Sequence, residues 1–126
     1  MGNPKNPPGV PEGVTLWLLR EVPGEQNPRQ FQVSLKSVYE QLALGPGKDP
    51  LFMKVEGCEG QARIYATKTG FVERYPDEPG WRGFYKSIPG VLDAAYRDLL
   101  KGADYKEEND PGRDLKRWAL PEGKKK

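Results

Sequence analysis

Histidine is absent from this 126-residue sequence, and cysteine occurs once, at Cys58. Histidine is the commonest general base near neutral pH and a common metal ligand, so its absence removes Ser-His and Cys-His nucleophile pairs and imidazole metal sites. A single cysteine excludes an internal disulfide and a thiolate metal cluster. Cys58 also stands beside acidic residues, which do not activate a thiol. We therefore expect a non-catalytic protein with no cofactor and no metal ion.

Long hydrophobic runs are also missing. The longest strongly apolar stretch runs from Val14 to Leu19, whereas a membrane-spanning helix needs about 20 apolar residues. Residues 1–13 are polar and lack the apolar centre of a secretory signal. An unpaired cysteine without such a signal is typical of a reducing compartment. The sequence therefore predicts a cytoplasmic protein that makes no membrane contact.

Neither sign of charge dominates the chain. Twenty Lys and Arg oppose 18 Asp and Glu, for a net charge of +2. Residues 1–13 are neutral, and residues 14–101 and 102–126 carry +1 each. No part is a basic block of the kind that indicates nucleic-acid binding by charge alone.

Composition divides the chain into three parts. Residues 1–13 predict a Pro-rich flexible arm. Residues 14–101 contain the apolar periodicity and predict a single α+β domain. Residues 102–126 predict a polar, partly disordered C-terminal tail, in which the apolar residues between Leu115 and Leu120 form a short helical turn that docks on the domain.

Two segments have the periodicity of amphipathic helices. Ser34 is a candidate N-cap, and apolar residues follow it at spacings of three and four before a Gly-Pro-Gly stop at 45–47. Ser87 is the candidate N-cap of the second helix, which has Pro89 in its first turn and ends at Gly102.

Five segments predict β-strands because they alternate or are rich in β-branched and apolar residues. They are Val14 to Val22, Gln30 to Val33, Leu51 to Glu56, Gln61 to Thr67 and Phe71 to Tyr75. A loop is expected from Pro76 to Gly83. The order β-β-α-β-β-β-α, with short connections between the last three strands, predicts an α+β two-layer sandwich. Its sheet is mainly antiparallel, with about five strands and both helices on one face.

The stretch from Ser34 to Gly102 has the order α-β-β-β-α, which resembles the topology of the double-stranded-RNA-binding domain. The second helix of that family begins with a dense lysine cluster that faces RNA phosphates, and one of its loops carries a histidine. Here the equivalent position has the single lysine Lys86, and the chain has no histidine. A generic α+β domain is therefore expected rather than membership of that family.

Acidic residues occur in pairs, and paired carboxylates can act as a general acid and base or hold Mg²⁺. The pairs are Asp77 with Glu78, Glu107 with Glu108, and Asp110 near Asp114. They lie in polar stretches rich in Pro and Gly, which favours solvated surface charge. A carboxylate-based metal-dependent hydrolase is therefore only the second alternative function.

The segment from Gly80 to Lys86 concentrates aromatic and cationic residues. Its candidate partner-binding residues are Trp81, Arg82, Phe84, Tyr85 and Lys86. Trp, Tyr and Arg dominate the hot spots of protein–protein interfaces, and aromatic faces beside cations also bind single-stranded nucleic acid. The interpretation that requires least is that the loop folds these rings over the sheet edge and completes a small core, and it ranks ahead of both binding interpretations.

The predicted sheet supplies a second candidate surface. If Met53, Val55, Ala62 and Ile64 face the helices, the opposite face carries Phe52, Lys54, Arg63 and Tyr65. Interleaved aromatics and cations on a sheet are used by proteins that stack RNA or single strands. An ordinary solvent-facing surface accounts for the same pattern.

A binding function makes fewer demands on the sequence than catalysis does, because it needs only a suitable surface. We expect a small binding or regulatory protein that acts through a protein partner and uses an aromatic and cationic surface. The first alternative binds RNA or single-stranded nucleic acid, stacking bases on Trp81, Phe84 and Tyr85 while Arg82 and Lys86 neutralise phosphates. The weak net charge favours the protein partner, because it gives little affinity from counterion release.

Overall fold

The structure, a computed structural model, describes residues 7–47, 49–76, 78–102 and 112–120. Its elements in chain order are β1 (Val14–Arg20), β2 (Arg29–Gln32), α1 (Leu35–Ala43), β3 (Leu51–Val55), β4 (Ala62–Ala66), β5 (Phe71–Arg74), β6 (Arg82–Tyr85) and α2 (Ile88–Lys101). A short 3₁₀ helix, Leu115–Trp118, follows. The predicted α+β architecture with an antiparallel sheet is confirmed.

All six strands form one sheet in the order β2-β1-β3-β4-β5-β6, and all neighbours are antiparallel. Because β1 lies between β2 and β3, those two strands run parallel to each other. A parallel pair needs a long crossover connection, and α1 lies within it. β2 and β6 are the two edges of the sheet.

Both helices pack on one face of the sheet. Strand alternation puts Leu16, Met53 and Ile64 on that face, where they are fully buried or nearly so. The helices contribute apolar stripes at helical spacing, including Val38 and Leu92. Burial of these side chains is the main force that holds the two layers together.

Serine caps fix where each helix begins. Ser34 Oγ accepts a hydrogen bond from the Ser37 N–H at 3.2 Å, and Ser87 Oγ accepts one from the Gly90 N–H at 3.1 Å. Pro89 lies in the first turn of α2, where its missing N–H leaves no hydrogen bond unmade. Among the described residues, no helix has the length and apolar character needed to cross a lipid bilayer.

The sixth strand is the main departure from the sequence prediction. That prediction placed a loop from Pro76 to Gly83, whereas β6 begins at Arg82. The strand has little sequence signal because it is four residues long and contains Gly83 at a φ of 73°. Four strands therefore separate α1 from α2, and the α-β-β-β-α order of the double-stranded-RNA-binding domain is not the order of this chain.

Residues on both sides of 14–101 also contribute to the core. The Leu35 N–H donates to Pro8 O at 3.0 Å, and Val10 is buried nearby. Trp118, in the short helical turn that was predicted within the tail, is fully buried against α2. The rest of the predicted arm and tail, residues 1–6, 103–111 and 121–126, lies outside the described residues.

Candidate functional site

Strand β6 forms the middle of the aromatic and cationic segment and is one edge of the sheet. It pairs with β5 through Phe71 and Tyr85, and the register shifts between Phe71 and Glu73. Gly83 is needed at this irregularity, because a Cβ at that position would lie 2.6 Å from Tyr85 Cζ. The bulge thus allows the Tyr85 ring to fold close to the strand's own backbone.

The five predicted partner-binding residues separate into two groups. Trp81 and Phe84 have 61% and 42% of their surface exposed. Lys86 is also exposed, and its Nζ lies 5.7 Å from the centroid of the Phe84 ring. We call Trp81, Phe84 and Lys86 the edge surface. Arg82 and Tyr85 instead contact polar groups on the side of the sheet that α2 covers.

Those polar groups surround Glu73, a fully buried acid on β5. Glu73 Oε1 accepts a hydrogen bond from Tyr85 Oη at 2.9 Å, and Oε2 accepts one from Tyr75 Oη. The Arg82 guanidinium lies 4.5 Å above the centroid of the Tyr75 ring, and its Nη1 is 3.3 Å from Asp98 Oδ2 on α2. We call these five residues the Glu73 cluster; they join β5, β6 and α2.

Burial raises the pKa of Glu73 to about 7, because the carboxylate is removed from water. Hydrogen bonds from Tyr75 and Tyr85 lower this pKa, while the negative charge of Asp98 raises it. Burial also raises the pKa of both tyrosines, and the adjacent carboxylate of Glu73 raises it further. The tyrosines therefore remain hydrogen-bond donors at neutral pH, where Glu73 titrates.

A cleft of about 320 Å³ opens beside the cluster. Tyr75, Arg82 and Asp98 line it, whereas the buried Glu73 does not reach it. Glu78 also lines the cleft and forms an ion pair with Arg82. Arg82 forms ion pairs with both Glu78 and Asp98. These two carboxylates therefore share a cation between them and do not form a directly paired acid and base.

The acidic residues considered for a hydrolase do not come together in the described parts of the chain. Asp77, Glu107, Glu108 and Asp110 lie outside those parts. Asp114 instead caps the 3₁₀ helix, accepting a hydrogen bond from the Lys116 N–H at 3.1 Å. Within the described ranges, no group of three or more acidic or cysteine residues is placed to hold a metal ion.

The face of the sheet opposite the helices carries a cross-strand row of stacked side chains. The registers place five residues side by side on neighbouring strands, in the order Gln32, Trp17, Phe52, Arg63 and Arg74. The Trp17 and Phe52 rings stack with centroids 5.4 Å apart at 13°. Arg63 Cζ lies 5.4 Å from the Phe52 centroid, on the side away from Trp17. We call this arrangement the stacked row.

The four predicted sheet-face residues all lie on this face, but their rings are not equally accessible. Phe52 is only 6% exposed, because Trp17 and Arg63 flank its ring. Tyr65 is half-buried, and Arg74 Cζ lies 6.0 Å from its centroid. Lys54 is exposed, and its Nζ donates to Cys58 O at 3.4 Å. The Phe52 ring therefore has no free face for a base to stack on.

Sequence reasoning missed Glu73, Tyr75 and Asp98. One signal was available: Glu73 alternates with Phe71 and Tyr75, so an acid occupies a position that the strand pattern turns toward the core. The position of Trp17 beside Phe52 in the stacked row had no comparable signal, because it depends on the pairing of β1 with β3.

The chain was also compared with known proteins. No protein-family model, curated protein or solved structure matches it.

Proposed function

We propose that this chain is a small, non-catalytic binding or regulatory protein that acts in the cytoplasm through a protein partner. The observation that carries the proposal is the exposure of Phe84 on the edge strand β6 and of Trp81 immediately before that strand. Tryptophan is enriched in binding hot spots, where burial of its large ring contributes much of the affinity. The edge surface is therefore proposed as the contact site.

The polar groups nearby support binding over catalysis. Glu73 is buried behind hydrogen bonds from two tyrosines, and Glu78 and Asp98 pair with Arg82. These interactions hold β6 against β5 and α2, which gives the edge surface a fixed backbone. Preorganisation of this kind decreases the entropy lost on binding.

An affinity pull-down from a lysate of the source cells tests the proposal. The wild-type chain is expected to retain one protein in stoichiometric amount, and the double variant Trp81→Ser with Phe84→Ser is expected to lose it. Phe31→Ser is the matched control, because Phe31 is 40% exposed on β2, the other edge of the sheet. Circular dichroism of each variant checks that it remains folded.

Two results would contradict the proposal. One is retention of the same protein by the double variant at wild-type level. The other is capture of no protein, together with salt-sensitive binding of a labelled oligouridylate that the double variant loses. The second result would instead establish the nucleic-acid alternative, in which Trp81 and Phe84 stack bases.

A further inference from the structure

Three cations lie on neighbouring strands of the sheet face that the helices leave uncovered. Lys54, Arg63 and Arg74 belong to β3, β4 and β5, and Arg63 is the direct register partner of Arg74. Like charges placed directly opposite each other destabilise a sheet. Within the described ranges, no carboxylate forms an ion pair with any of the three.

The surroundings of the two arginines hold their guanidinium groups in place. Arg63 lies over the Phe52 ring, and Arg74 lies over the Tyr65 ring. The Arg74 Nε–H donates to Gly80 O at 3.2 Å, whereas Arg63 Nε is buried without a hydrogen-bond partner among the described residues. Among the described residues the pair therefore has no ion-pair partner and is held in place, and a carboxylate is the group that a guanidinium fork binds in bidentate geometry.

We propose that Arg63 and Arg74 form a docking site for an acidic segment of the protein partner. The inference rests on the proposed function and adds the chemistry of the partner. Phe84 of the edge surface lies on the same sheet face as Arg74, because it neighbours the inward-facing Tyr85 on β6.

An acidic protein segment fits this face better than a nucleic acid does. The Trp17 and Phe52 rings are 5% and 6% exposed, so the stacked row offers no ring for bases. The net charge of +2 also provides little counterion-release affinity for a phosphate backbone. At the end of the row, Arg74 is exposed and Arg63 is half-buried, and the guanidinium groups of both are able to bind a carboxylate.

Titration of the full ¹⁵N-labelled chain with a hexaglutamate peptide, followed by NMR at low ionic strength, tests the docking site. The Nε–H signals of Arg63 and Arg74 are expected to shift in a saturable manner and to return when salt is added. Arg74→Gln is expected to increase the dissociation constant about tenfold. Arg20→Gln, with the same charge change on the helix side of β1, is expected to change it less than about twofold. The spectra also show whether each variant is folded.

Three outcomes of the titrations would overturn the inference: Arg63 and Arg74 signals that do not move, equal losses in Arg74→Gln and Arg20→Gln, or tighter binding of an oligouridylate at the same two signals. Concentration-dependent dimerisation that Arg74→Gln abolishes would also overturn it, because a second copy would then occupy the face. The proposed function is tested separately, by the pull-down with the double variant Trp81→Ser and Phe84→Ser.

Discussion

The indole Nε1–H of Trp118 donates a hydrogen bond to Asp93 Oδ1 at 3.0 Å, across 25 residues of sequence. Both side chains are buried, and the Arg117 Nε lies 3.5 Å from the same carboxylate oxygen. Tyr39 Oη on α1 donates to Trp118 O at 2.7 Å. The short 3₁₀ helix thus connects α2 with α1 and closes the helical layer over the sheet.

Removal of the Trp118 ring should strongly destabilise the protein. Trp118→Ala leaves a large cavity and is expected to cost about 3–5 kcal/mol in the free energy of unfolding. Trp118→Phe fills most of the space but leaves the buried Asp93 without its indole donor. This loss is expected to lower the free energy of unfolding by about 1–3 kcal/mol. Urea denaturation measures both values. Trp81→Phe, at an exposed site, serves as the control and should stay within about 0.5 kcal/mol of wild type. Equal stability of Trp118→Ala and wild type would show that this segment does not hold the helices.

A methyl group at Gly83 should disturb β6. Gly83→Ala would place a Cβ 2.6 Å from Tyr85 Cζ and would force alanine to a φ of 73°. Gly80 has the same φ of 73°, but a Cβ there would meet no atom within 4 Å, so Gly80→Ala carries only the backbone strain. Each strained φ costs about 1 kcal/mol, and the clash adds about 1–3 kcal/mol for Gly83→Ala alone. Thermal unfolding of the two variants compares them. Equal melting temperatures would contradict the packing of Tyr85 against Gly83.

Much of the fold was predictable because its signals are local. Ser34 and Ser87 cap helices whose apolar stripes are recognisable in the sequence, and the sequences of β3, β4 and β5 alternate. The position of β1 between β2 and β3 was not predictable, because pairing partners are chosen by long-range packing. β6 was missed since a four-residue edge strand with a bulge has no period to detect.

The candidate site was predictable in composition but not in arrangement. The sequence grouped Tyr85 and Arg82 with Trp81, whereas the bulge at Gly83 turns the Tyr85 side chain toward Glu73 and separates it from the exposed rings. In a four-residue strand with a bulge, the sequence does not reveal which side chains point to which face of the sheet. The sheet-face residues were easier, since regular alternation puts Phe52 and Arg63 on the face away from the core.

Loss of the Phe52 ring should weaken the sheet although no helix covers it. Phe52 packs between Trp17 and Arg63 and is 6% exposed. Phe52→Leu is expected to cost about 1–2 kcal/mol through lost ring contacts. Phe31→Leu, on a strand that is exposed throughout, should cost less than about 0.5 kcal/mol. Urea denaturation distinguishes them, and similar costs for the two variants would mean that the stacked row contributes no packing energy.

The buried carboxyl of Glu73 should make stability fall as pH rises. Its pKa is raised from 4.5 to about 7 in the folded chain, so between these values the folded state binds more protons than the unfolded state. The free energy of unfolding attributable to Glu73 therefore decreases from about pH 4.5 to pH 7, by a total on the order of 3 kcal/mol, and is level above that range. Burial of the carboxyl group is the largest cause of the raised pKa; the negative charge of Asp98 adds to it, and the hydrogen bonds from Tyr75 and Tyr85 oppose it.

Glu73→Gln isolates this contribution, because glutamine has nearly the same size and does not titrate; its amide oxygen accepts from one tyrosine hydroxyl, and its NH2 group donates to the oxygen of the other. The variant should be more stable than wild type above pH 7, and the difference should shrink as pH falls toward 4.5. Denaturation of both proteins across this pH range measures it. Glu59→Gln is the control, since Glu59 is exposed and should leave the wild-type pH profile unchanged. A constant difference between Glu73→Gln and wild type at every pH would show that Glu73 keeps one protonation state throughout, and the buried cluster would then not respond to pH.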